Sequence, residues 1–543
     1  MLKIFLERCK NIAKKNNIIW KSSYIKWETP KEIKADFSLT LPISIAYKEK
    51  KNKECIAKEI IEEFSDLNLK IDYNEKGYIN FFIPNDYYQK FLLNNWKKKK
   101  FFFQKKKEKI NIEYISANPT GNLHLAHFRH AIIGKILSNV YKFLGYDVTN
   151  EYYINDRGEQ INKLIDNIHK IYLSKIKKNQ IDEKKIIYKN DEIVEILIKK
   201  WGKKYDKDLK KKDFLLWKKN ILKLMIKKIK IDLKKYGIKF DNWISEEKLY
   251  EKNDHINLLN YLEKKKLSYL KDNALFLRTS LATDKKDRVI IKENGDYTYF
   301  FSDILYHLDK FKRTDKIINL WGSDHHGYIE RIKSVFKLLN FDNKRIEIIL
   351  IQVVKILEKE NILKKLSKRD GNVIELNDSL KYINLEELKF FLLENDSNQP
   401  LIISSNILKK NKKKTCLYYI QYAYARCCQI FLKAKEKKIN KISKNINLLK
   451  NKKEREIFNL LIKFNLILEK MIEINKPQIL LYYLKDLSKV WQNYYQNEFI
   501  LNTKNKELTS QKLLMIKNIQ ILLKIGLKIL DVSFPKTMKK KQI

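Results

Sequence analysis

Cysteine is scarce in this chain, and its few copies are scattered. The five cysteines are Cys9, Cys55, Cys416, Cys427 and Cys428, an odd number that includes no C-x-x-C pair. This spacing excludes a disulfide framework and a thiolate zinc site as the features that organise the fold. A protein that works in a reducing compartment, the cytoplasm, is therefore expected.

Long apolar runs are also missing. The longest one, around Ile346–Leu357, is too short and too interrupted to span a bilayer. The first residues, MLKIFLERCKNIAKK, predict an amphipathic helix, without the apolar core or the cleavage site of a signal peptide. We therefore expect a soluble cytoplasmic protein with no membrane partner.

Glycine and proline are rare as well, with 12 and 7 copies in 543 residues. Lysine, isoleucine and asparagine are abundant everywhere, so the scarcity indicates a compositional bias of the whole chain. The few glycines are then informative about tight turns and close backbone approaches. Most of them lie in or near the middle third of the chain: Gly121, Gly134, Gly145, Gly158, Gly322, Gly327 and Gly371.

Acidic residues are outnumbered by basic ones, 65 against 113, which gives a formal net charge of +48. Such an excess favours a polyanionic partner, above all nucleic acid. The compositional bias would raise the charge without any partner, so charge alone does not identify one. A hydrophobic content of 44% fits a globular protein, and the length allows three or four domains.

Three regions follow from the patterning. Residues 1–105 mix a helical start with short apolar strands and predict a small α/β domain, which ends in a lysine-rich run typical of a solvated face. In residues 106–395 short apolar strands alternate with helices, which predicts βαβ units on a parallel sheet with a helical insertion near 161–237. Residues 396–543 are patterned as an all-α domain.

The segment NIEYISANPTGNLHLAHFRH, residues 111–130, predicts a strand, a tight turn and the start of a helix. This geometry presents a helix N-terminus to a phosphate group. His124 and His127 are three residues apart, so both imidazoles lie on one face and could reach the same ligand.

Two more histidines, His325 and His326, stand in WGSDHHG directly after a predicted strand. Ligands bind beyond the carboxyl ends of the strands in open α/β sheets. A zinc site built from these histidines is the alternative interpretation. The lack of a cysteine partner argues against it, and no metal held by the protein is predicted.

A basic segment, KKLSKRDGN, follows the strand near 346–354 and is closed by a glycine. In a lysine-rich chain, the K-L-S-K pattern taken alone is better explained by chance than by a function. Beside the sheet edge, however, its lysines together with the two histidines of the helix start would stabilise the charge that builds on a triphosphate during attack at its α-phosphorus.

In this order, HLAH and KLSKR resemble the HIGH and KMSKS signatures of class I aminoacyl-tRNA synthetases. The surrounding sequence resembles the arginyl-tRNA synthetase family in particular, and the resemblance covers essentially the whole chain. The segments that carry this resemblance include SANPTGNLHLAHFRHAIIGKIL, EYYINDRGEQI, FDNWISE, DRVIIKENGDYTYFFSDILYHLDK, WGSDHHGYIERIK, KLSKRDGNV and YYIQYAYAR, with ADFSLTLPISIA, GYINFF and FPKTM nearer the termini.

The resemblance implies a Rossmann-type parallel-sheet catalytic domain with a helical insertion, a small N-terminal α/β domain that contacts tRNA, and an all-α anticodon-binding bundle. It also implies an arginine–tRNA ligase, a monomer that uses ATP with Mg²⁺, L-arginine and tRNA(Arg). Members of the family typically need tRNA for amino-acid activation, and the same is expected here.

The resemblance also assigns roles to matching positions. The catalytic positions are His124, His127, Lys365 and Lys368. The ATP-binding positions are Pro119, Thr120, Gly121, Ala126, Gly322, Asp324, His326 and Ser367. The arginine-binding positions are Glu113, Asn118, His124, Tyr299, Asp303 and His325. The tRNA-binding positions are Tyr418, Tyr422 and Arg426.

The chemistry of arginine supports part of this assignment. A guanidinium is always charged and prefers bidentate carboxylates, so an arginine pocket needs a well-placed acid. Glu113 and Asp303 are the candidate acids, and a structural salt bridge is the alternative for each. For the tyrosines of the C-terminal helices, the alternative to stacking on bases is a place in the helical core.

Three positions depart from the family pattern. Ala126 stands where the family usually has glycine, and its methyl group is expected to push the adenine outward and weaken ATP binding. Thr40 stands where an asparagine often reads a base of the tRNA D-loop, which puts that contact in doubt. Tyr424 replaces a common histidine.

Two other functions remain open at this point. One is a class I synthetase for another amino acid, against which the acidic pocket and the absence of cysteine zinc ligands argue. The other is a catalytically idle tRNA-binding protein, against which the presence of both histidines and both lysines argues.

Overall fold

The computed structural model describes residues 2–27, 35–67, 69–98, 106–178, 186, 190–205, 211–357, 363–365, 376–380, 383–404, 415–439 and 441–538. The chain forms two compact units, one of Met1–Gln104 with Asn411–Ile543 and one of Lys105–Lys410. The first and third predicted regions thus share a unit, and the predicted boundaries at 105/106 and 395/396 stay predictions.

The N-terminal part of the first unit is a four-stranded antiparallel sheet with helices, which agrees with the helical start and the short apolar strands predicted for this region. Its elements are α1 (Leu2–Lys15), β1 (Ile25–Lys26), β2 (Phe37–Leu39), α2 (Leu41–Glu49), α3 (Lys53–Glu62), β3 (Lys70–Tyr73), β4 (Ile79–Phe82) and α4 (Asn85–Lys98). The strand order is β1-β2-β4-β3. A cluster of aromatic rings, Phe5, Phe37, Phe64 and Phe81, fills the core between sheet and helices.

The second unit is built on a five-stranded sheet whose neighbouring strands are all parallel. Its first half consists of β5 (Lys109–Glu113), α5 (Leu125–Phe143), β6 (Asp147–Ile154), the helices α6 (Glu159–Lys177), α7 (Asp191–Trp201) and α8 (Lys211–Lys235), and β7 (Asn242–Ser245). The helices α6 to α8 form the predicted insertion. They pack around the fully buried Trp217 with Ile165, Ile168 and Leu197.

A small antiparallel sheet follows, which the sequence did not predict. In the chain it comes after α9 (Glu246–Leu249) and α10 (Asp254–Lys264) and before α11 (Tyr299–Arg313). Its strands are β8 (Ser268–Lys271), β9 (Ala274–Leu277) and β10 (Arg288–Ile291). The parallel sheet is then completed by β11 (Lys316–Gly322), α12 (Ile329–Leu338) and β12 (Ile346–Ile351). The strand order is β12-β11-β5-β6-β7, with β5 at the centre.

A third sheet ends the second unit. Its strands are β13 (Val354–Leu357), β14 (Leu363–Lys365) and β15 (Leu401–Ser404), with α13 (Leu376–Ser379) and α14 (Leu385–Glu394) between the last two. Strand β13 is central and pairs antiparallel with β14 and parallel with β15.

The C-terminal residues form the predicted helical bundle: α15 (Cys416–Glu436), α16 (Lys452–Glu473), α17 (Gln478–Asn497) and α18 (Lys506–Ile529). The predicted fold class is confirmed, with a parallel-sheet α/β domain, a smaller N-terminal α/β domain and a helical C-terminal domain. Among the described residues, no helix is both long and apolar enough to cross a membrane.

Candidate active site

The candidate site begins where β5 ends, at a sharply bent backbone. Ile115 and Ser116 have φ angles of 71° and 38°, a left-handed conformation that is strained for a β-branched residue. The Ser116 hydroxyl donates to Glu113 Oε1 at 2.8 Å and accepts from the Tyr153 backbone N–H at 3.1 Å. These bonds tie the bend to the neighbouring strand β6, so the turn that follows leaves the sheet in a fixed direction.

The two signature histidines stack at the start of α5. His124 is the N-cap residue, and its backbone N–H donates to His127 Nδ1 at 3.3 Å. The ring centroids are 3.6 Å apart with an interplanar angle of 23°. The structure therefore places both imidazoles together at a helix N-terminus, where the helix dipole also favours an anion.

Close packing holds α5 against the end of β5. A Cβ atom added at Gly134 would lie 2.3 Å from Cγ of Tyr114, so only glycine allows this approach of the helix to the strand. In the intervening turn Thr120 is buried, and its N–H donates to the Asn118 carbonyl at 2.7 Å. The Asn118 side chain donates to Gln160 Oε1 at 3.2 Å.

Glu113, a predicted arginine ligand, is engaged within the protein. Lys310 Nζ lies 2.5 Å from Glu113 Oε2 and also donates to Asn319 Oδ1 at 2.8 Å. The side chains of Lys310 and Glu113 are 0% and 7% exposed. The sequence did not reveal Lys310 as the partner of Glu113.

Asp303 lies near a second acid that the sequence reasoning left without a role, Glu246. Burial raises the pKa of Asp303 well above its ordinary value, and the nearby carboxylates of Glu246 and Glu113 raise it further. Burial also raises the pKa of Glu246, with Asp156 adding to the effect, against hydrogen bonds from Ser302 and Tyr153. The charges of Lys310 and Arg157 lower the pKa of Asp303 and of Glu246, respectively, and a bound guanidinium would favour the ionised forms further. Glu246 was detectable only as part of the matched segment FDNWISE.

Tyr299 stands at the start of α11 beside the segment that follows β6. It is 49% exposed, and a Cβ atom at Gly158, whose φ is +92°, would lie 2.6 Å from the Tyr299 hydroxyl. The Arg157 guanidinium lies 4.2 Å from the centre of the Tyr250 ring. The Tyr250 hydroxyl is 2.7 Å from Ser302 Oγ on α11.

The segment after β11 presents Asp324, His325 and His326 at the surface. His325 Nε2 lies 3.7 Å from Asp324 Oδ2, and both side chains are more than half exposed. A Cβ atom at Gly322 would lie 2.4 Å from Asp324 Oδ1. The absence of a side chain at Gly322 therefore leaves room for the Asp324 carboxylate to fold back over the strand end.

The second signature is described in part. Lys365 ends β14, where its backbone pairs with Lys355 of β13. Ser367 and Lys368 lie outside the described residues. The predicted roles of these three residues stay predictions.

The predicted ATP and arginine residues thus come from separate parts of the second unit. Those of the turn and α5 follow β5, and the WGSDHHG group follows β11, so both stand at the carboxyl edge of the parallel sheet. Asp303 reaches the same region from α11 through its proximity to Glu113 and Glu246. Among the residues that the structure describes, no group of three or more His, Cys, Asp or Glu side chains is arranged to hold a metal ion.

The predicted tRNA-binding residues lie on α15 in the other unit. The rings of Tyr418 and Tyr422 are 6.1 Å apart and nearly parallel, at 14°. The Arg426 guanidinium lies 4.8 Å from the Tyr422 ring and 4.2 Å from the ring of Tyr495, which sequence reasoning did not single out. Tyr424 is buried and packs on Phe534, so it belongs to the core.

Three family models match consecutive parts of the chain. They are the arginyl-tRNA synthetase N-terminal domain at residues 3–83, the catalytic domain of class I tRNA synthetases (R) at 89–423, and the DALR anticodon-binding domain at 420–538. The catalytic model alone spans more than half of the chain.

Known relatives and solved structures match nearly the whole length. The arginine–tRNA ligase of Listeria monocytogenes is 34% identical, covering 94% of this chain and 94% of its own. That of Aquifex aeolicus is 35% identical over 94% of this chain and 96% of its own. The arginyl-tRNA synthetase structure of Thermus thermophilus shares the fold, with a TM-score of 0.76 at 16% identity, covering 99% of this chain and 100% of the other. The stacked histidine pair, the sheet beneath it and these matches agree, and the chain belongs to the arginyl-tRNA synthetase family.

Proposed function

We propose that this chain is an arginine–tRNA ligase that activates L-arginine with ATP and transfers it to tRNA(Arg). The observation that carries the proposal is the stacked His124–His127 pair at the start of α5, in the same domain as the neighbouring acids Asp303 and Glu246. One feature suits a guanidinium and the other suits a phosphate.

In the first step, a carboxylate oxygen of arginine attacks the α-phosphorus of ATP. The bond to the β-phosphate oxygen breaks, pyrophosphate leaves, and arginyl-adenylate forms. His124 and His127 donate to the phosphate oxygens as charge builds on them, and Lys365 and Lys368 neutralise the pyrophosphate side. Mg²⁺ would accompany ATP and neutralise part of the charge on its phosphates.

The arginine side chain is held by its charge. Asp303 and Glu246 receive the guanidinium, and its positive charge favours their ionised forms. Because Glu113 is already paired with Lys310, its part is to shape the pocket and fix the turn through Ser116. Tyr299, Asn118 and His325 complete the assigned arginine site, and the residues of WGSDHHG border the ATP.

In the second step, a ribose hydroxyl of the terminal adenosine of tRNA attacks the carbonyl carbon of the adenylate. AMP leaves, and the ester of arginine remains on the tRNA. Tyr418, Tyr422 and Arg426 offer ring faces and a guanidinium suited to bases of the anticodon loop, with Tyr495 as a further ring. We further propose that the protein acts as a cytoplasmic monomer.

The test is ATP–pyrophosphate exchange measured with each standard amino acid, with and without total tRNA. Arginine is expected to be the one amino acid that supports exchange. The exchange should require tRNA and should be lost in His124→Ala. A signal with another amino acid would point to a different class I synthetase. The absence of any signal would point to an idle tRNA-binding protein, and either outcome would refute the proposal.

A further inference from the structure

Arg129 is a fully buried guanidinium two residues beyond His127 on α5, with 0% of its surface exposed. It donates through Nη1 to the carbonyl oxygens of Gln352 and Gln399, both at 3.0 Å, and through Nη2 to that of Asp396 at 2.8 Å. All three acceptors are main-chain atoms. The side chain therefore binds backbone from two distant segments of the chain to the signature helix.

Those two segments run side by side at the start of the β13–β15 sheet. The Gln352 N–H donates to the Ser397 carbonyl at 2.9 Å, and the Leu401 N–H donates to the Val353 carbonyl at 3.0 Å. From there β13 and β15 continue as a parallel pair that begins with Val354 opposite Leu401. Arg129 thus fixes the point at which both strands start.

The same sheet carries Lys365. Strand β14 pairs with β13, and Lys365 stands opposite Lys355. A second tie joins the signature turn to the chain beyond β14, because the Leu376 N–H donates to the Leu123 carbonyl at 3.2 Å. The helix that carries the histidines is therefore connected to the strand that ends at Lys365 through the Arg129 side chain and the pairing of β13 with β14.

The buried Arg129 guanidinium carries a cost as well as a benefit. Burial lowers the pKa of Arg129 to about 10, which shows that its charge is held at a cost. An apolar side chain of similar volume would leave the three carbonyl oxygens without this donor. A planar fork that reaches several carbonyls at once is what an apolar side chain cannot supply.

We propose that Arg129 is a positioning residue that sets the distance between the His124–His127 pair on α5 and Lys365 on β14 by clamping the carbonyls of Gln352, Asp396 and Gln399. The inference rests on the proposed function, since both groups act on the same triphosphate. A loosened clamp leaves each signature intact but misplaces one relative to the other, which costs most in the transition state.

The test compares Arg129→Lys with a matched control, Arg345→Lys. Arg345 also binds three carbonyls, those of Asp315 at 3.0 Å, Phe311 at 3.1 Å and Thr314 at 2.5 Å. These contacts lie at the amino ends of β11 and β12, whereas the candidate site lies at the carboxyl ends. Both substitutions keep the charge and remove the fork. The thermal midpoint, the kcat of arginine-dependent pyrophosphate exchange and the KM for ATP are measured for each.

Arg129→Lys is expected to lower kcat about 100-fold with little change in the KM for ATP, as a small misplacement of reacting groups does. Arg345→Lys is expected to keep kcat within about twofold, since a substitution remote from the site changes stability without moving the reacting groups. Equal loss of kcat in both variants, or an unchanged kcat in Arg129→Lys, would refute the positioning role.

Amide hydrogen exchange gives a readout that does not depend on activity. Residues 352–357 and 401–404 are expected to exchange faster in Arg129→Lys than in the wild type and in Arg345→Lys. Unchanged exchange there would refute the clamp even if the wild type proved inactive. Wild-type protein that activates no amino acid would instead refute the proposed function, so the two failures are distinguishable.

Discussion

Asp303 and Glu246 show how individual residues can favour ligand binding over the stability of the empty protein. A carboxylate whose pKa is raised on folding contributes stability below its ordinary value, 3.8 for Asp303, and that contribution is lost as the pH rises through the raised value. Wild-type protein without arginine is therefore expected to lose stability as the pH rises from the ordinary to the raised pKa, with no further loss from this group above it. Bound arginine requires the ionised carboxylate, so its affinity changes with pH in the opposite direction.

Asp303→Asn should separate these two effects. We expect the thermal midpoint at neutral and alkaline pH to rise, because an unfavourable buried charge is removed, while the KM for arginine increases about 10- to 100-fold through loss of a charge-assisted bond. The pH dependence of arginine affinity should also flatten. Asp309→Asn, on the same helix but paired with Arg313 at 2.8 Å, is the control and should leave the KM for arginine unchanged. A normal KM in Asp303→Asn would contradict the assignment.

Ala126 lies in the first turn of α5, directly before His127. Its methyl group stands where the family usually has glycine, so Ala126→Gly is expected to lower the KM for ATP several-fold while kcat changes little. The helix should lose about 1 kcal/mol of stability. Ala131→Gly carries the same helix penalty in the same helix and should not improve ATP binding. An unchanged or higher KM in Ala126→Gly would count against the interpretation.

At this scale the sequence predicted what depends on local spacing. His124 and His127 are neighbours on a helix, and the structure stacks them. The partner of Glu113 is different, because Lys310 is 197 residues away in the chain and belongs to another element. In a chain so rich in lysine, no local signal distinguishes this one from the others.

Among the elements, the contact between β5 and α5 is the one that positions the site. Gly134 allows the helix to approach Tyr114, whose side chain is buried beside Glu113. The pattern of apolar and turn residues was sufficient to predict a strand, a turn and a helix here. The strands of the two small sheets, β8–β10 and β13–β15, have only three or four residues each, too few for a clear alternation.

Gly134→Ala is expected to destabilise the protein by about 1–3 kcal/mol, because the new methyl group overlaps the Tyr114 ring and either helix or ring must move. Urea unfolding measures the change in the free energy of unfolding. The rate of ATP–pyrophosphate exchange should also decrease. Gly327→Ala meets no atom within 4 Å and serves as the control, with an expected change within about 0.5 kcal/mol. Equal stability of the two variants would refute this account of the packing.

On the scale of the whole molecule, the first unit joins residues from both ends of the chain. Asp36 accepts from Arg455 Nε at 3.0 Å and Nη2 at 2.6 Å, from Asn459 at 3.0 Å and from the Ile83 backbone at 2.7 Å. Asp36 belongs to the matched segment ADFSLT, but its partner on α16 lies more than 400 residues away. Composition and periodicity identified both regions, while their association depends on such long-range pairs.

Arg455→Ala leaves the buried Asp36 carboxylate without its cation and should destabilise the first unit. Removing one partner of a fully buried ion pair lowers the free energy of unfolding by about 3–5 kcal/mol. Because the Arg455 side chain is 41% exposed, we expect a smaller decrease here. The pair of Arg8 with Asp66, whose carboxylate is 63% exposed, gives the control, and Arg8→Ala should destabilise the protein much less. Urea unfolding with and without added salt distinguishes the two, and an equal loss in both variants would contradict the role of Asp36.

The central claim is that the acid pair and the histidine pair belong to one site that attaches arginine to tRNA. Its most direct test is to incubate the protein with ATP, total tRNA and a mixture of all standard amino acids, and to determine by mass which aminoacyl-adenosine the tRNA carries. Arginyl-adenosine alone is expected, with loss of the product in His124→Ala and a strong decrease in Asp303→Asn. Any other aminoacyl-adenosine, or arginyl-adenosine formed equally by both variants, would contradict the claim.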